Sequence, residues 1–214
     1  MTRAKAARGR IDKRRAILDA AFTVFARRGY NQACVQEIAD EAEVAKPTVY
    51  NHLDDKETLF RYAVEAAADA VAARCVEAIA GLRDPGADLP AALTDSAHRL
   101  LRVCASDHSR ALRSLTYAQL TTFPDLADTV QDRTSRHLAE ALSDRFARLM
   151  LSGRLRATDP ALAAEHFLAL LTGPLEAHSR LGTRNVPAAE LRELAESAVD
   201  TFVRAYATAE NTER

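Results

Sequence analysis

Glycine, proline and cysteine are scarce in this sequence of 214 residues. It contains seven Gly and seven Pro, and because both residues disfavour helices, their scarcity among many Ala, Leu, Glu and Arg residues predicts an all-α fold. The three cysteines, Cys34, Cys75 and Cys104, lie far apart and include no Cys-x-x-Cys pair. This pattern gives no basis for a disulfide framework or a zinc finger, and it fits a reducing compartment.

Long hydrophobic runs are also missing. No segment approaches the roughly 20 apolar residues that cross a bilayer as a helix. A basic N-terminus precedes the apolar residues 17–26, as in a signal peptide, but Asp19 interrupts that run and Arg27 and Arg28 close it. We therefore expect no membrane association and a cytoplasmic location.

Sequence motifs of catalysis are absent as well. The chain has no His-Glu-x-x-His pair, no glycine-rich phosphate loop and no Gly-x-Ser-x-Gly elbow. Cys104 and His108 stand four residues apart with Asp107 beside them, but two or three such groups without a further partner make a weak metal site. We expect a protein that is not an enzyme and that holds neither a metal nor a cofactor.

The residues that are abundant suit a globular protein with an anionic partner. Hydrophobic residues make up 48% and charged residues 28% of the chain, and a chain of this length buries a core without disulfides or metal. The net charge of -1 is uneven, because residues 1–62 carry about +3 and the remainder about -4. A positive N-terminal part favours contact with phosphates.

Two helices are predicted near the N-terminus. Apolar residues at helical spacing indicate a first helix over about residues 11–28, which Gly29 ends. A short second helix over residues 35–42 turns Ile38 and Ala39 inward.

A very short third helix follows a three-residue joint. It begins at Lys46 or Pro47, since proline fits the first turn of a helix. It ends near Leu53, because Asp54 and Glu57 have the spacing of a capping box that opens a fourth helix.

The third helix has an inner and an outer face. Val49 and Leu53 point inward, whereas Thr48, Asn51 and His52 share another face. Two short helices joined by a tight turn, the second with polar residues outward, describe a helix-turn-helix whose second helix enters the major groove of DNA. The alternative is a solvated surface turn between core helices.

Further helices bring the expected total to about nine. Pro174 is expected to kink or divide the helix in which it lies. The predicted ranges are about 55–80, 90–105, 108–121, 124–152, 160–181 and 187–209.

Residues 15–60, RAILDAAFTVFARRGYNQACVQEIADEAEVAKPTVYNHLDDKETLF, resemble the N-terminal DNA-binding domain of the tetracycline-repressor (TetR) family of bacterial regulators. The resemblance covers the whole helix-turn-helix module. It implies a helix-turn-helix DNA-binding domain with a basic N-terminal arm over residues 1–54, and a helical effector-binding and dimerisation domain over residues 55–214. It also implies a homodimer that a small molecule releases from DNA.

The resemblance implies that the third helix and its surroundings line the DNA, with Tyr50 and Lys56 mainly on phosphates. Residues 2–15 are either a solubilising segment or a basic arm that reaches the backbone or minor groove. The candidate DNA contacts are Gln36, Lys46, Pro47, Thr48, Tyr50, Asn51, His52 and Lys56.

Three residues depart from the family pattern. Glu43 occupies the turn position where the family usually has Gly, and a positive φ there costs on the order of 1 kcal/mol. Ala33 and Cys34 replace hydroxyl residues that commonly cap the second helix and touch phosphate. Cys34 is interpreted as a buried thiol, with a redox switch as the alternative.

An apolar stripe on the last helix predicts a dimer interface. The helix before it is apolar nearly all round over residues 161–171, and two such helices suit a four-helix interface between subunits. Packing within one chain remains the alternative. The interface candidates are Leu191, Leu194, Ala198, Phe202 and Tyr206.

Polar residues within apolar stripes are candidates for an effector pocket: His108, Tyr117, Gln119 and His166. Satisfied core or interface groups are the alternative. Residues 116–126, TYAQLTTFPDL, followed by a long helix resemble the C-terminal domain of one large TetR subgroup, which names no ligand.

The resulting hypothesis is a ligand-responsive transcriptional regulator, a repressor that binds a palindromic operator in double-stranded DNA as a homodimer and is released by an unidentified small-molecule effector. The rival is a helical small-molecule-binding or enzyme-like dimer that does not engage DNA. The sequence discloses neither the effector nor the operator.

Overall fold

The structure, a computed structural model, describes residues 2–51 and 55–208, with side chains from residue 12 onward. His52, Leu53 and Asp54 lie outside the described residues. The helices are α1 Thr2–Gln32, α2 Val35–Glu41, α3 Lys46–Tyr50, α4 Lys56–Ala78, α5 Leu89–Cys104, α6 Asp107–Ala118, α7 Pro124–Gln131, α8 His137–Leu151, α9 Pro160–His178 and α10 Ala188–Tyr206. A 3-10 helix spans Ala80–Arg83, and a π-helical segment, Asp132–Arg136, joins α7 to α8.

The all-α prediction is confirmed. If α7, the π-helical segment and α8 count as one helix, the described residues contain nine α-helices and no strand. Leu155 and Ala207 form an isolated antiparallel bridge. In the described part of the chain no helix has the length and apolar character needed to cross a membrane.

Helix α1 is longer than predicted but is interrupted where predicted. The sequence pattern placed its start at about residue 11, whereas the backbone is helical from Thr2. Good helix formers in residues 2–10 extend the helix beyond its buried face. Gly29 leaves the helical conformation at φ 75 and ψ 161, a conformation open to glycine because it has no Cβ.

Pro174 does not divide α9, which continues through it to His178. Proline removes a single N–H donor, the one that would bond to the carbonyl of Leu170. The following turn still forms, since the N–H of Ser179 donates to the carbonyl of Leu175 at 2.8 Å.

The chain forms two compact units that do not follow its linear order. The sequence placed the division at residue 54, but the first part of α4 and the segment containing α7 belong with α1–α3. The first unit is Met1–Ala70 with Ala111–Arg133, and the second is Val71–Arg110 with Thr134–Arg214.

An aromatic cluster forms the centre of the first unit. Phe60 lies 5.0 Å from Phe25, 4.9 Å from Tyr30 and 5.4 Å from Phe123, measured between ring centroids. Tyr30 and Phe123 meet edge to face at 5.0 Å. These contacts between residues far apart in sequence explain why the segment around Phe123 joins the first unit.

Arginine–carboxylate pairs fix α7 and the π-helical segment to α4 within the same unit. Arg61 donates to Asp125 at 2.6 Å. Arg133 donates to Asp69 at 2.8 Å and to Glu65 at 3.0 Å.

The core of the second unit contains a run of aromatic rings from three helices. Phe146 on α8 lies 5.6 Å from Phe167 on α9 and 5.1 Å from Phe202 on α10. Phe202 stacks on Tyr206 at 4.7 Å. Helix α10 also packs along α5.

Three of the five residues predicted for the dimer interface lie inside this core on the apolar stripe of α10, so the prediction is not supported at these three positions. Leu191, Ala198 and Phe202 are 4%, 5% and 0% exposed in the single chain. Side chains already covered by their own chain leave no face for a second copy, so packing within one chain accounts for them. Leu194 and Tyr206 are half-buried.

Candidate nucleic-acid interface

The turn between α2 and α3 is a Schellman motif. Past the end of α2, the N–H of Val44 donates to the carbonyl of Ala39 at 2.9 Å and the N–H of Glu43 donates to the carbonyl of Asp40 at 3.2 Å. Glu43 has φ 53, so the left-handed conformation considered from the sequence is present. The motif satisfies the last carbonyls of α2 and fixes the direction in which the chain leaves it.

One buried residue attaches α3 to the unit. Val49 is 1% exposed, and Ile38 and Ala39 of α2 are fully buried, so the inward positions predicted for these three residues are confirmed, whereas Leu53 lies outside the described residues. The remaining side chains of this short helix and its C-cap are exposed or half-buried: Lys46, Pro47, Thr48, Tyr50 and Asn51. A helix held by one apolar anchor presents the rest of its surface to a partner.

Helix α2 is capped by a cysteine. The N–H of Glu37 donates to Sγ of Cys34 at 3.5 Å, so a thiol takes the place of the hydroxyl cap that the sequence lacks. Cys34 is exposed, which corrects its interpretation as a buried thiol. Gln36 is exposed on the same helix and donates to Asp40 at 2.8 Å.

Two arginines at the end of α1 hold α2. Arg28 and Arg27 each donate to Glu37 at 3.0 Å, and Arg27 also reaches Glu41 at 3.4 Å. The hydrogen bonds from Arg28 and then Arg27 hold the pKa of the Glu37 carboxyl below its usual value. Arg27 and Arg28 are therefore engaged in ion pairs within the first unit.

Lys56 is also engaged within the unit. Its Nζ donates to the backbone carbonyl of Asn31 at 3.1 Å and lies 4.9 Å from the ring centroid of Tyr30. The ammonium has three N–H donors, so one bond to Asn31 leaves others for a phosphate. These contacts with α1 fix the position of the Lys56 side chain.

Asp55, the residue after the predicted cap Asp54, caps the start of α4. The sequence assigned the cap to Asp54, which lies outside the described residues, whereas Asp55 accepts from the N–H of Thr58 at 2.7 Å. That backbone hydrogen bond holds the pKa of the Asp55 carboxyl below its usual value. The cap places Lys56 in the first turn of α4.

The helix-turn-helix matches a known family. Residues 17–63 match the family model described as bacterial regulatory proteins, tetR family. Residues 91–208 match the model described as AefR-like transcriptional repressor, C-terminal domain. The chain belongs to the tetR family. It is therefore a DNA-binding transcriptional regulator and not an enzyme.

Solved structures resemble this chain along most of its length. A putative TetR-family transcriptional regulator from Mesorhizobium loti MAFF303099 superposes with a TM-score of 0.85 at 29% identity, over 93% of this chain and 98% of that one. The flavonoid-responsive regulator FrrA shares the fold, with a TM-score of 0.72 at 23% identity over 92% and 98% of the two chains.

A curated relative matches over a shorter stretch. The HTH-type transcriptional repressor KstR2 of Rhodococcus jostii strain RHA1 is 33% identical over 88 residues, which are 41% of this chain and 43% of that protein. The match thus spans less than half the length of this relative.

The four effector-pocket candidates of this TetR-family protein are divided between the units. His108 and His166 lie in the second unit, and Tyr117 and Gln119 in the first. Tyr117 is 62% exposed, whereas Gln119 is buried. Nδ1 of the exposed His166 lies 2.6 Å from the hydroxyl of Tyr206. A shallow depression of the second unit involves none of them, being lined by Gly173, Glu176, Ala177, Arg180 and Leu181.

One buried charge in this TetR-family protein was missed from the sequence. Arg145 on α8 is 4% exposed. A signal was present, because Leu138, Leu142, Arg145 and Leu149 follow one another at the spacing of a single helix face. No group of three or more metal-binding side chains occurs among the residues whose side chains are described.

Proposed function

We propose that this regulator is a repressor that binds a palindromic operator as a homodimer and is released by a small-molecule effector. The observation that carries the DNA-binding part is α3, anchored by Val49 and left exposed on its other sides by the turn at Glu43. A helix presented in this way fits the major groove. Because genomic DNA lies in the bacterial cytoplasm, a cytoplasmic location is part of this proposal.

The exposed residues divide by the contacts they would make. Tyr50 and Lys56 would bind phosphates, which fixes the protein on the duplex, while Asn51 and Thr48 would meet base edges. Lys46, Pro47 and Gln36 would lie beside them. His52 is assigned to the same surface on the family resemblance alone.

The dimer interface is proposed on α9 instead of α10. Leu162, His166, Ala169 and Gly173 lie on one face of α9 and are exposed. Glu176 continues that face, and Arg180 follows just after the helix ends, so a two-fold axis could pair these opposite charges between copies. A homodimer contains two α3 helices, one for each half-site of a palindrome.

The effector would act by binding the arrangement that does not hold DNA more tightly than the arrangement that does, because equal affinity for both would shift nothing. The second unit contains most of the segment that matches the repressor C-terminal model, and it is the proposed location of the effector site.

DNA binding is tested by titrating the protein against its own upstream region and against random duplex, at several salt concentrations. We expect a preference for the upstream DNA that Asn51→Ala reduces by weakening base discrimination. Lys56→Ala should lower the slope of log affinity against log salt by about one, the loss of one phosphate contact.

Thr129→Ala is the matched control, since this half-buried residue lies in the first unit but on α7. It should bind like the wild-type protein. Equal affinity of the wild-type protein for both duplexes would favour the rival, a helical ligand-binding dimer without DNA.

A further inference from the structure

Arg145 is a buried cation with almost no hydrogen-bond partner. Its side chain is 4% exposed. Nη1 donates to the carbonyl of Ala141 one turn earlier at 2.6 Å, and buried Nε has no acceptor. A guanidinium carries five N–H donors and stays protonated, and the N–H of Nε is a buried donor without an acceptor among the described residues.

Two less buried arginines, Arg133 and Arg184, are paired with carboxylates. Arg133 donates to Asp69 and Glu65, and Arg184 donates to both oxygens of Glu190 at 2.9 and 2.8 Å. Within the described residues Arg145 forms no such ion pair, although it is more deeply buried than Arg133 or Arg184.

The surroundings of Arg145 add positive charge and apolar surface. Burial lowers the pKa of Arg145 and the charge of Arg83 on the 3-10 helix lowers it further, while the carboxylate of Asp144 acts in the opposite direction. On the same face of α8, Leu142 and Leu149 are buried. A second cation nearby and apolar walls favour an anion attached to an apolar body.

We infer that Arg145 binds the anionic head of the effector, a small organic carboxylate with an apolar body. The planar guanidinium fork matches the two oxygens of a carboxylate, and such charge-assisted bonds are among the strongest that proteins form. A carboxylate would supply the missing acceptors and neutralise the buried charge. This inference rests on the proposed effector-binding function and names the chemical class of the effector.

Replacing Arg145 by a neutral side chain of similar length separates this role from a structural one. An unpaired buried charge destabilises a fold, and apolar replacements of buried charges are often neutral or stabilising. Without ligand, Arg145→Met should melt at the same temperature as the wild type or higher. A clearly lower melting temperature would indicate that Arg145 stabilises the fold and would overturn the inference.

Ligand response is measured as the shift in melting temperature on adding octanoate or benzoate, each compared with octanamide or benzamide at equal ionic strength. We expect at least one acid to stabilise the wild type more than its amide does. Arg145→Met should need at least about tenfold more acid for the same shift, the loss expected for a charged hydrogen-bonding group.

Arg148→Met is the matched control, because Arg148 is exposed on the same helix and pairs with Asp144 at 3.2 Å. It should respond like the wild type. Arg145→Lys, which keeps the charge but loses the fork, is a second variant and should also show the weakened response. Equal shifts for acid and amide, or a response that survives substitution of Arg145, would refute the inference. A response to phenyl phosphate but to neither acid would refute the carboxylate assignment.

Operator titration distinguishes this inference from the proposed function. Ligand-free Arg145→Met should bind the upstream DNA like the wild type, and the acid should release DNA from the wild type only. If the wild type prefers no DNA but shows acid stabilisation that depends on Arg145, the anion site stands and the proposed function fails.

Discussion

At the scale of single residues, the backbone at Glu43 carries a conformation suited to glycine. Its φ of 53 is needed because the Schellman hydrogen bonds of Val44 and Glu43 turn the chain from α2 into α3. The position was identified from the sequence by comparison with the family pattern, but its φ required the structure.

Glu43→Gly should raise the free energy of unfolding by about 1 kcal/mol, because glycine adopts this backbone conformation without the steric penalty of a Cβ. Urea denaturation measures the change. Glu43→Gln, which removes the charge and keeps the Cβ, is the control and should gain much less. A gain of equal size in both variants would attribute the effect to charge.

A second residue-scale feature is the carboxyl of Glu190 between Arg184 and His178. Hydrogen bonds from Arg184, then from His178, lower the pKa of Glu190 to about 2 from 4.5. A depressed carboxyl pKa stabilises the folded state above the unfolded-state pKa, and that contribution is lost as pH falls. The relevant window therefore runs from about 4.5 down to about 2.

Glu190→Gln should reduce the loss of stability on acidification within this window, because the amide cannot titrate. The measurement is urea denaturation of both proteins at a series of pH values. Glu193→Gln, on an exposed residue of the same helix, should leave the pH dependence of the wild type unchanged. Parallel curves for wild type and Glu190→Gln would contradict the pKa assignment.

At the scale of helices, hydrophobic periodicity predicted most elements to within a few residues. However, α1 begins earlier than predicted, and α9 is not divided at Pro174. Helix α9 continues through Pro174 since one missing N–H close to the C-terminal end does not prevent the last turn. Helix α1 begins earlier than predicted, because residues 2–10 carry no apolar pattern in the sequence to detect.

Pro174→Ala should stabilise the protein by about 1–2 kcal/mol in urea denaturation, because it restores the bond to the carbonyl of Leu170, partly offset by a more flexible unfolded chain. Pro160→Ala at the start of the same helix is the control. It restores no hydrogen bond, since the first-turn N–H has no partner within the helix, and should give no gain.

At the scale of the whole molecule, contacts distant in sequence decide which segments belong together. The segment Ala111–Arg133 lies in the first unit, where Phe123 contacts Tyr30 and Asp125 binds Arg61. The apolar stripe of α10 is covered within its own chain, which moves the proposed dimer interface to α9.

Ala169→Asp should convert the proposed dimer into monomers in sedimentation, because it buries a pair of like charges across a two-fold axis. Ala205→Asp, an equal change on the exposed side of α10, should remain dimeric. A dimer that survives Ala169→Asp would exclude this face of α9.

The sequence by itself determined the all-α class, the helix-turn-helix and the exposure of Tyr50 and Asn51, since local periodicity, Pro47 and the spacing of the turn act within a few residues of one another. Tertiary structure alone decided that the α10 stripe is core, that Lys56 is held by Asn31, and that Arg145 is buried without a carboxylate. A periodic pattern states that a face is apolar, and only the folded chain determines what covers it and which charges meet.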